Sequence, residues 1–205
     1  MNWLIFDVIG PIMIGPSSSH TAGASRIGYI GYLLNKGIVK KAKITMYGSF
    51  AKVYQGHGSD WAIAGGLLGM QSDDINLVRA NEIAIEKGAE YTFIFDTTTK
   101  IEHPNTVKVE IFDNNHSLEY VAVSVGGGSI VVDSINDVDV NDLDCRESKV
   151  LYIGKGDEDL LRVNKKLNTK YGNCKADKDK SNFVLQSVVS NNQNHENELI
   201  YIPKF

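Results

Sequence analysis

Cysteine is nearly absent from this chain of 205 residues. Only Cys145 and Cys174 occur, far apart and without metal-ligand spacing. Two such thiols argue against a disulfide framework, fall short of a four-cysteine cluster site, and point to a reducing, cytoplasmic setting. No apolar run approaches the roughly 20 residues that a membrane-spanning helix needs. The opening Met1-Asn-Trp-Leu-Ile-Phe-Asp7 has neither the basic flank nor the long apolar stretch of a secretory signal. Basic runs are missing too, and a formal charge of −4 argues against nucleic acid as the main partner. An apolar share of 42% supplies enough core for one domain with an appendage, or two small domains.

Against that plain background one stretch stands out, Gly15-Pro-Ser-Ser-Ser-His-Thr-Ala-Gly-Ala-Ser25. Pro16 disfavours helix at Gly15. Ile27, Ile30, Leu33 and Leu34 then recur at helical spacing as far as Asn35-Lys-Gly37. The serines Ser17, Ser18 and Ser19 therefore lie where a helix begins, with one of them as its cap. A helix start offers free N–H groups and partial positive charge, which suit a carboxylate or phosphate. His20 adds a group that titrates near neutral pH. One serine and one histidine would be an ordinary capped helix with a solvent-facing side chain. Three hydroxyls followed by His20 and Thr21 exceed what capping requires.

Further along, Lys41 to Tyr47 alternates as a half-buried strand. Tyr54 to Asp60 reads as a glycine-flanked loop carrying His57, and Trp61 to Met70 as a buried helix beginning near Ser59 or Asp60. Ile75 to Lys87 reads as a second helix, from the spacing of Ile75, Val78, Ile83 and Ile85, closed by Gly88. Tyr91 to Phe95 is a short strand, followed by a loop with His103 and Asn105. Three strands then form a meander: Thr106 to Phe112, Leu118 to Val125 and Ile130 to Ser134. Asp113-Asn-Asn115 makes the first turn and Gly126-Gly-Gly128 the second. The acidic Asp133 to Asp144 reads as a linker. The tail carries a strand at Val150 to Ile153, an amphipathic helix at Asp157 to Tyr171, and strands at Asn182 to Val189 and Glu198 to Ile202. The fold class is α+β: a mixed substrate-binding-type domain over residues 1–145, then a small βαββ regulatory-type domain over 149–205.

Of five histidines, His20, His57 and His103 sit in loops marked by glycine, serine or proline, whereas His116 and His195 sit in polar turns. The three loop histidines read as one polar pocket. Two chemistries suit it: recognition of a small polar anion by His, Ser, Thr and backbone N–H groups, or zinc held by three histidines. Neither HxH nor HExxH spacing is present to favour the metal.

The run Phe6 to Gly23, which contains Gly15-Pro-Ser-Ser-Ser-His-Thr21, resembles the opening of the beta chain of iron–sulfur-dependent L-serine dehydratases. The resemblance continues in order through Tyr47-Gly-Ser-Phe50, Gly56-His-Gly-Ser-Asp60, His103-Pro-Asn105 and Ser124-Val-Gly-Gly-Gly-Ser129. It covers roughly the first two-thirds of the chain. It implies a subunit that converts L-serine to pyruvate and ammonia with an alpha chain, which carries the 4Fe–4S cluster and explains the missing cysteines here. It implies no metal on this chain, and an assembly that is a homodimer or heterotetramer. On it, His20, His57 and His103 are the catalytic set, and Ser17, Ser18, Ser19, Thr21, Asp60 and Asn105 bind substrate. The tail becomes an ACT-like domain, degenerate in having only Gly154-Lys-Gly156 where that module has a glycine-bearing ligand loop. The rival is a non-catalytic allosteric module in which the same pocket senses serine; a stand-alone zinc hydrolase comes third.

Overall fold

The computed structural model describes residues 11–112, 117–136, 138–144, 149–155, 182–188 and 200–202. A wide π-helical turn, Ser18–Ala22, runs straight into α1 (Gly23–Leu34). Next come β1 (Lys41–Tyr47), α2 (Gly48–His57), α3 (Ser59–Leu67), a 3-10 turn at Leu77–Arg79, α4 (Ala80–Glu86) and β2 (Glu90–Asp96). A meander of β3 (Thr106–Phe112), β4 (Ser117–Gly126), β5 (Ser129–Ile135) and β6 (Val138–Asp144) follows. These six strands form one sheet in the order β2-β1-β3-β4-β5-β6. Only β1 and β2 pair parallel, because three helices intervene between them; the hairpin-linked strands pair antiparallel.

Alternation along the strands decides the two faces. Ala42, Ile44 and Met46, with Val107, Val109, Ile111, Tyr120, Ala122, Ile130 and Val132, enter one core with Ile27, Ile30, Ile63 and Leu67 from the helices. The opposite face carries Lys43–Glu110 at 2.7 Å and Lys108–Glu119 at 2.8 Å. Such pairs contribute little each, roughly 0–1 kcal/mol, but they keep that face wet and so fix which side takes the helices. Tyr120 is fully buried and its hydroxyl donates to Ile27 O at 2.7 Å, tying β4 to α1.

Helices α1 and α3 cross in backbone contact. A Cβ on Gly66 would lie 2.7 Å from Gly28 C, and one on Gly28 would lie 3.1 Å from Gly66 Cα. The glycines that weaken the helix reading of Trp61 to Met70 are what let the two helices meet.

Three readings change. The expected loop at Tyr54 to Asp60 is mostly helix: α2 is seated by buried Phe50 and Ala51 and runs to His57, and Gly58 (φ 64°) turns the chain directly into α3. The expected helix from Ile75 shrinks to the 3-10 turn and α4. Its large residues are outside, with Ile75 74% and Ile85 77% exposed, whereas Leu77, Ala80 and Ala84 face inward. Small side chains fit there because α3 packs close, a Cβ on Gly65 lying only 3.3 Å from Ala80 Cβ. The acidic stretch from Asp133 is no linker: β5 continues to Ile135, β6 pairs with it, and Val140 is buried. An Asp-rich sequence suits an edge strand, where charge discourages further pairing.

In the tail, β7 (Lys149–Lys155) pairs antiparallel with β8 (Asn182–Val188) and β9 (Ile200–Ile202) in a second sheet, ordered β8-β7-β9. All three coincide with expected strands. The helix expected over 157–171 lies outside the described residues, as do His116, His195, Cys145 and Cys174.

Candidate active site

Ser17 takes an extended conformation and caps the π-turn, its Oγ accepting from His20 N at 3.0 Å. Ser17 O then accepts from Thr21 N at 2.8 Å and Ala22 N at 3.2 Å. Among the described residues nothing accepts from the N–H groups of Ser18 and Ser19, and their hydroxyls are also unspent. The start of this helix therefore presents two N–H donors and two hydroxyls on half-buried residues, at the positive end of α1. A widened turn of this kind is a frequent mark of a functional site.

Three bonds seat the turn on the rest of the domain. Thr21 is wholly buried and its Oγ1 donates to His57 O at 2.8 Å, capping the end of α2. Ser59 Oγ donates to His20 O at 2.8 Å, so this serine fastens the turn to α3 instead of capping its own helix. Ser124 Oγ donates to Ser19 O at 2.9 Å, in space that exists because residue 23 is glycine. Arg26 Nη1 donates to Gly128 O and holds the turn Gly126-Gly-Gly128, all three glycines at positive φ, against the start of α1.

Two imidazoles meet at this point. The rings of His20 and His57 lie 5.0 Å apart, tilted by 34°. His20 also meets Phe50 edge-on at 5.1 Å, and its Nε2 is 3.0 Å from Ser49 Oγ. Burial, and next the neighbouring His57, lower the pKa of His20 below the ordinary 6.5, so it is neutral at neutral pH. His57 Nδ1 lies 3.3 Å from Val53 O. A carbonyl can only accept, so that nitrogen carries the hydrogen, and in the neutral ring the lone pair is the one on Nε2.

The other expected site residues are placed differently. His103 shapes its own turn: its Nδ1 accepts from Asn105 N at 3.2 Å and its carbonyl from Thr106 Oγ1 at 2.7 Å. Its loop still reaches the site, because Pro104 O accepts from Ser49 N at 2.7 Å and Asn105 O from Ser124 N at 3.0 Å. Asn105 Oδ1 is buried with no partner. Asp60 faces α4, accepting from Asn81 Nδ2 at 3.2 Å. Among the described residues no three His, Cys, Asp or Glu side chains converge as a metal site would require. A 4Fe–4S cluster is ordinarily held by four cysteine thiolates, so this chain with its two cysteines does not fit one by itself.

Ser49, Ser59 and Ser124 are the residues that pattern-reading passes over. Each lies inside a noted motif, but only the fold shows that all three hold one turn.

The sequence pattern of the family described as serine dehydratase beta chain matches residues 5–93. The probable L-serine dehydratase beta chain of Bacillus subtilis (strain 168) is 45% identical over 132 residues, which cover 64% of this chain and 60% of that one. The L-serine dehydratase beta chain of Peptoniphilus asaccharolyticus is 40% identical over 141 residues, 67% of this chain and 62% of that one. The chain thus spans about three fifths of the length of these two relatives. A short L-serine dehydratase beta chain sequence from Anaerotignum propionicum is 78% identical over 23 residues, 79% of its own length. The family pattern takes in the serine turn, Ser49, His57 and Ser59, the parts that the fold gathers around His20, and the chain belongs to the serine dehydratase beta chain family.

Proposed function

We propose that this chain is the beta subunit of an L-serine ammonia-lyase, acting with an alpha chain to convert L-serine to pyruvate and ammonia. One observation carries the reading. An unspent helix start with two hydroxyls stands beside two imidazoles, one of them kept neutral and the other with a free Nε2. The names of the relatives support the substrate and the division into chains.

On this reading the N–H groups and hydroxyls of Ser18 and Ser19 bind the serine carboxylate, and Ser17 and Thr21 keep the turn in shape. His57 Nε2 takes the Cα proton. The electron pair left on Cα forms the double bond to Cβ as the β-hydroxyl departs as water; the aminoacrylate tautomerises and hydrolyses to pyruvate and ammonia. His20 stays neutral beside it, since two imidazolium ions at this distance repel. Loss of the hydroxyl calls for an acid that the described residues around His20 and His57 do not supply in this scheme, and we assign it to the alpha chain, where the resemblance puts the 4Fe–4S cluster. His103 and Asn105 back the site through Pro104 and Ser124. Residues 149–205 are the ACT-like unit of this proposal, with 1–145 the catalytic one.

His57→Ala in the two-chain enzyme tests the assignment. Removing a general base should lower kcat by roughly 10²–10⁴, with serine still bound. Unchanged turnover would remove His57 from the chemistry.

A further inference from the structure

Ser49 occupies the second position of α2, and its backbone is held from both sides. Its N–H donates to Pro104 O at 2.7 Å. Gly48, just before it, takes φ 54°, and a Cβ there would lie 2.7 Å from the same Pro104 O. Phe50, just after it, is wholly buried. The hydroxyl of Ser49 is thus presented from a fixed point, 3.0 Å from His20 Nε2.

Nothing else among the described residues bonds a ring nitrogen of His20. Edge-on packing against Phe50 tolerates the half-turn of the ring that exchanges Nε2 with Cε1, because this torsion is broad and nearly two-fold. A hydroxyl bonded to Nε2 does not tolerate it. The titratable group facing His20 is His57; its neighbours Ser49 and Phe50 on α2 and Ser59 on α3 carry no charge. We infer that Ser49 is a positioning residue for His20, its hydroxyl fixing the ring's orientation and leaving Nδ1 as the atom offered to substrate. The catalytic consequence rests on the lyase reading above, whereas the pairing is a property of this chain alone.

The test compares Ser49→Ala and Ser49→Thr with the parent, using the full chain labelled with ¹⁵N-histidine. In Ser49→Ala the Nε2 shift of His20 should move as that nitrogen loses its hydrogen-bond partner, while the ring nitrogens of His57 stay in place; Ser49→Thr should keep the parent shifts. In the enzyme reassembled with the alpha chain, losing one hydrogen bond should lower kcat about three- to tenfold, with KM for L-serine nearly unchanged and Thr restoring most of the rate. Unmoved His20 shifts in Ser49→Ala would overturn the proposal. So would a rate loss that follows a lowered melting temperature and is not restored by Thr. If the parent pair of chains turns over no serine, the lyase reading fails, and the nitrogen shifts still decide the role of Ser49.

Discussion

His20 and His57 are 37 positions apart, yet their rings lie 5.0 Å from each other, at the start of one helical segment and the end of another. The contact is held by the backbone as much as by the rings. Thr21 Oγ1 reaches His57 O, so the residue next to one histidine is bonded to the other. A proton taken by one ring is felt by its neighbour, and that coupling gives the site a measurable signature.

The signature is in pH dependence. His20 in the folded chain has a pKa below the 6.5 of an ordinary histidine, through burial first and His57 second. Below pH 6.5 the unfolded chain then binds more protons than the folded one, so stability should fall as pH drops through the folded pKa and level off above 6.5. His57→Gln should raise the His20 pKa part of the way and leave the burial effect. Imidazole NMR titration of both proteins checks this; a His20 pKa that stays put would show that His57 contributes nothing.

Replacing His20 by Ala should cost about 1.5–3 kcal/mol of transition-state stabilisation if its ring orients the charged substrate, roughly a ten- to hundredfold fall in kcat/KM. The bond that its carbonyl accepts from Ser59 and the one that its N–H donates to Ser17 survive the change, so the melting temperature should move little. Steady-state kinetics and a thermal melt on the same preparation separate the two effects.

The crossing of α1 and α3 should be intolerant of a single methyl group. Gly66→Ala forces backbone apart and should cost about 1–3 kcal/mol or more, read by urea unfolding. Gly56 sits in α2 with nothing within 4 Å of a Cβ, and Gly56→Ala should gain about 0.4–1 kcal/mol. Equal effects at the two positions would contradict the packing described.

Ser124→Ala removes the donor to Ser19 O. It should cost about 0.5–1.5 kcal/mol of stability and, on the lyase reading, weaken serine binding, because the turn proposed to carry the carboxylate donors loses its tie to β4. A KM for L-serine equal to the parent's would show that the turn needs no such support.

The serine turn was legible because its signal is local: Pro16, three hydroxyls and a helical repeat lie within one short stretch. The strands were legible from alternation, as in Lys41 to Tyr47. The roles of Ser49 and Ser124 were not, since their bonds to the turn span 29 and 105 positions. The glycines around His57 were misleading: they mark a junction between two helices, and Phe50, buried in the core, decides that the residues before it are helical. Ile75, Val78 and Ile85 misled in the opposite way, because small alanines take the inner face of α4 and leave the large residues outside.

The most direct test of the account is pyruvate release from L-serine by the alpha chain alone, by this chain alone, and by the two together. The account predicts turnover only from the pair, and its loss when His57→Ala replaces the parent chain. Serine turnover by this chain alone, or an alpha chain equally active without it, would contradict the claim that this chain supplies part of the active site.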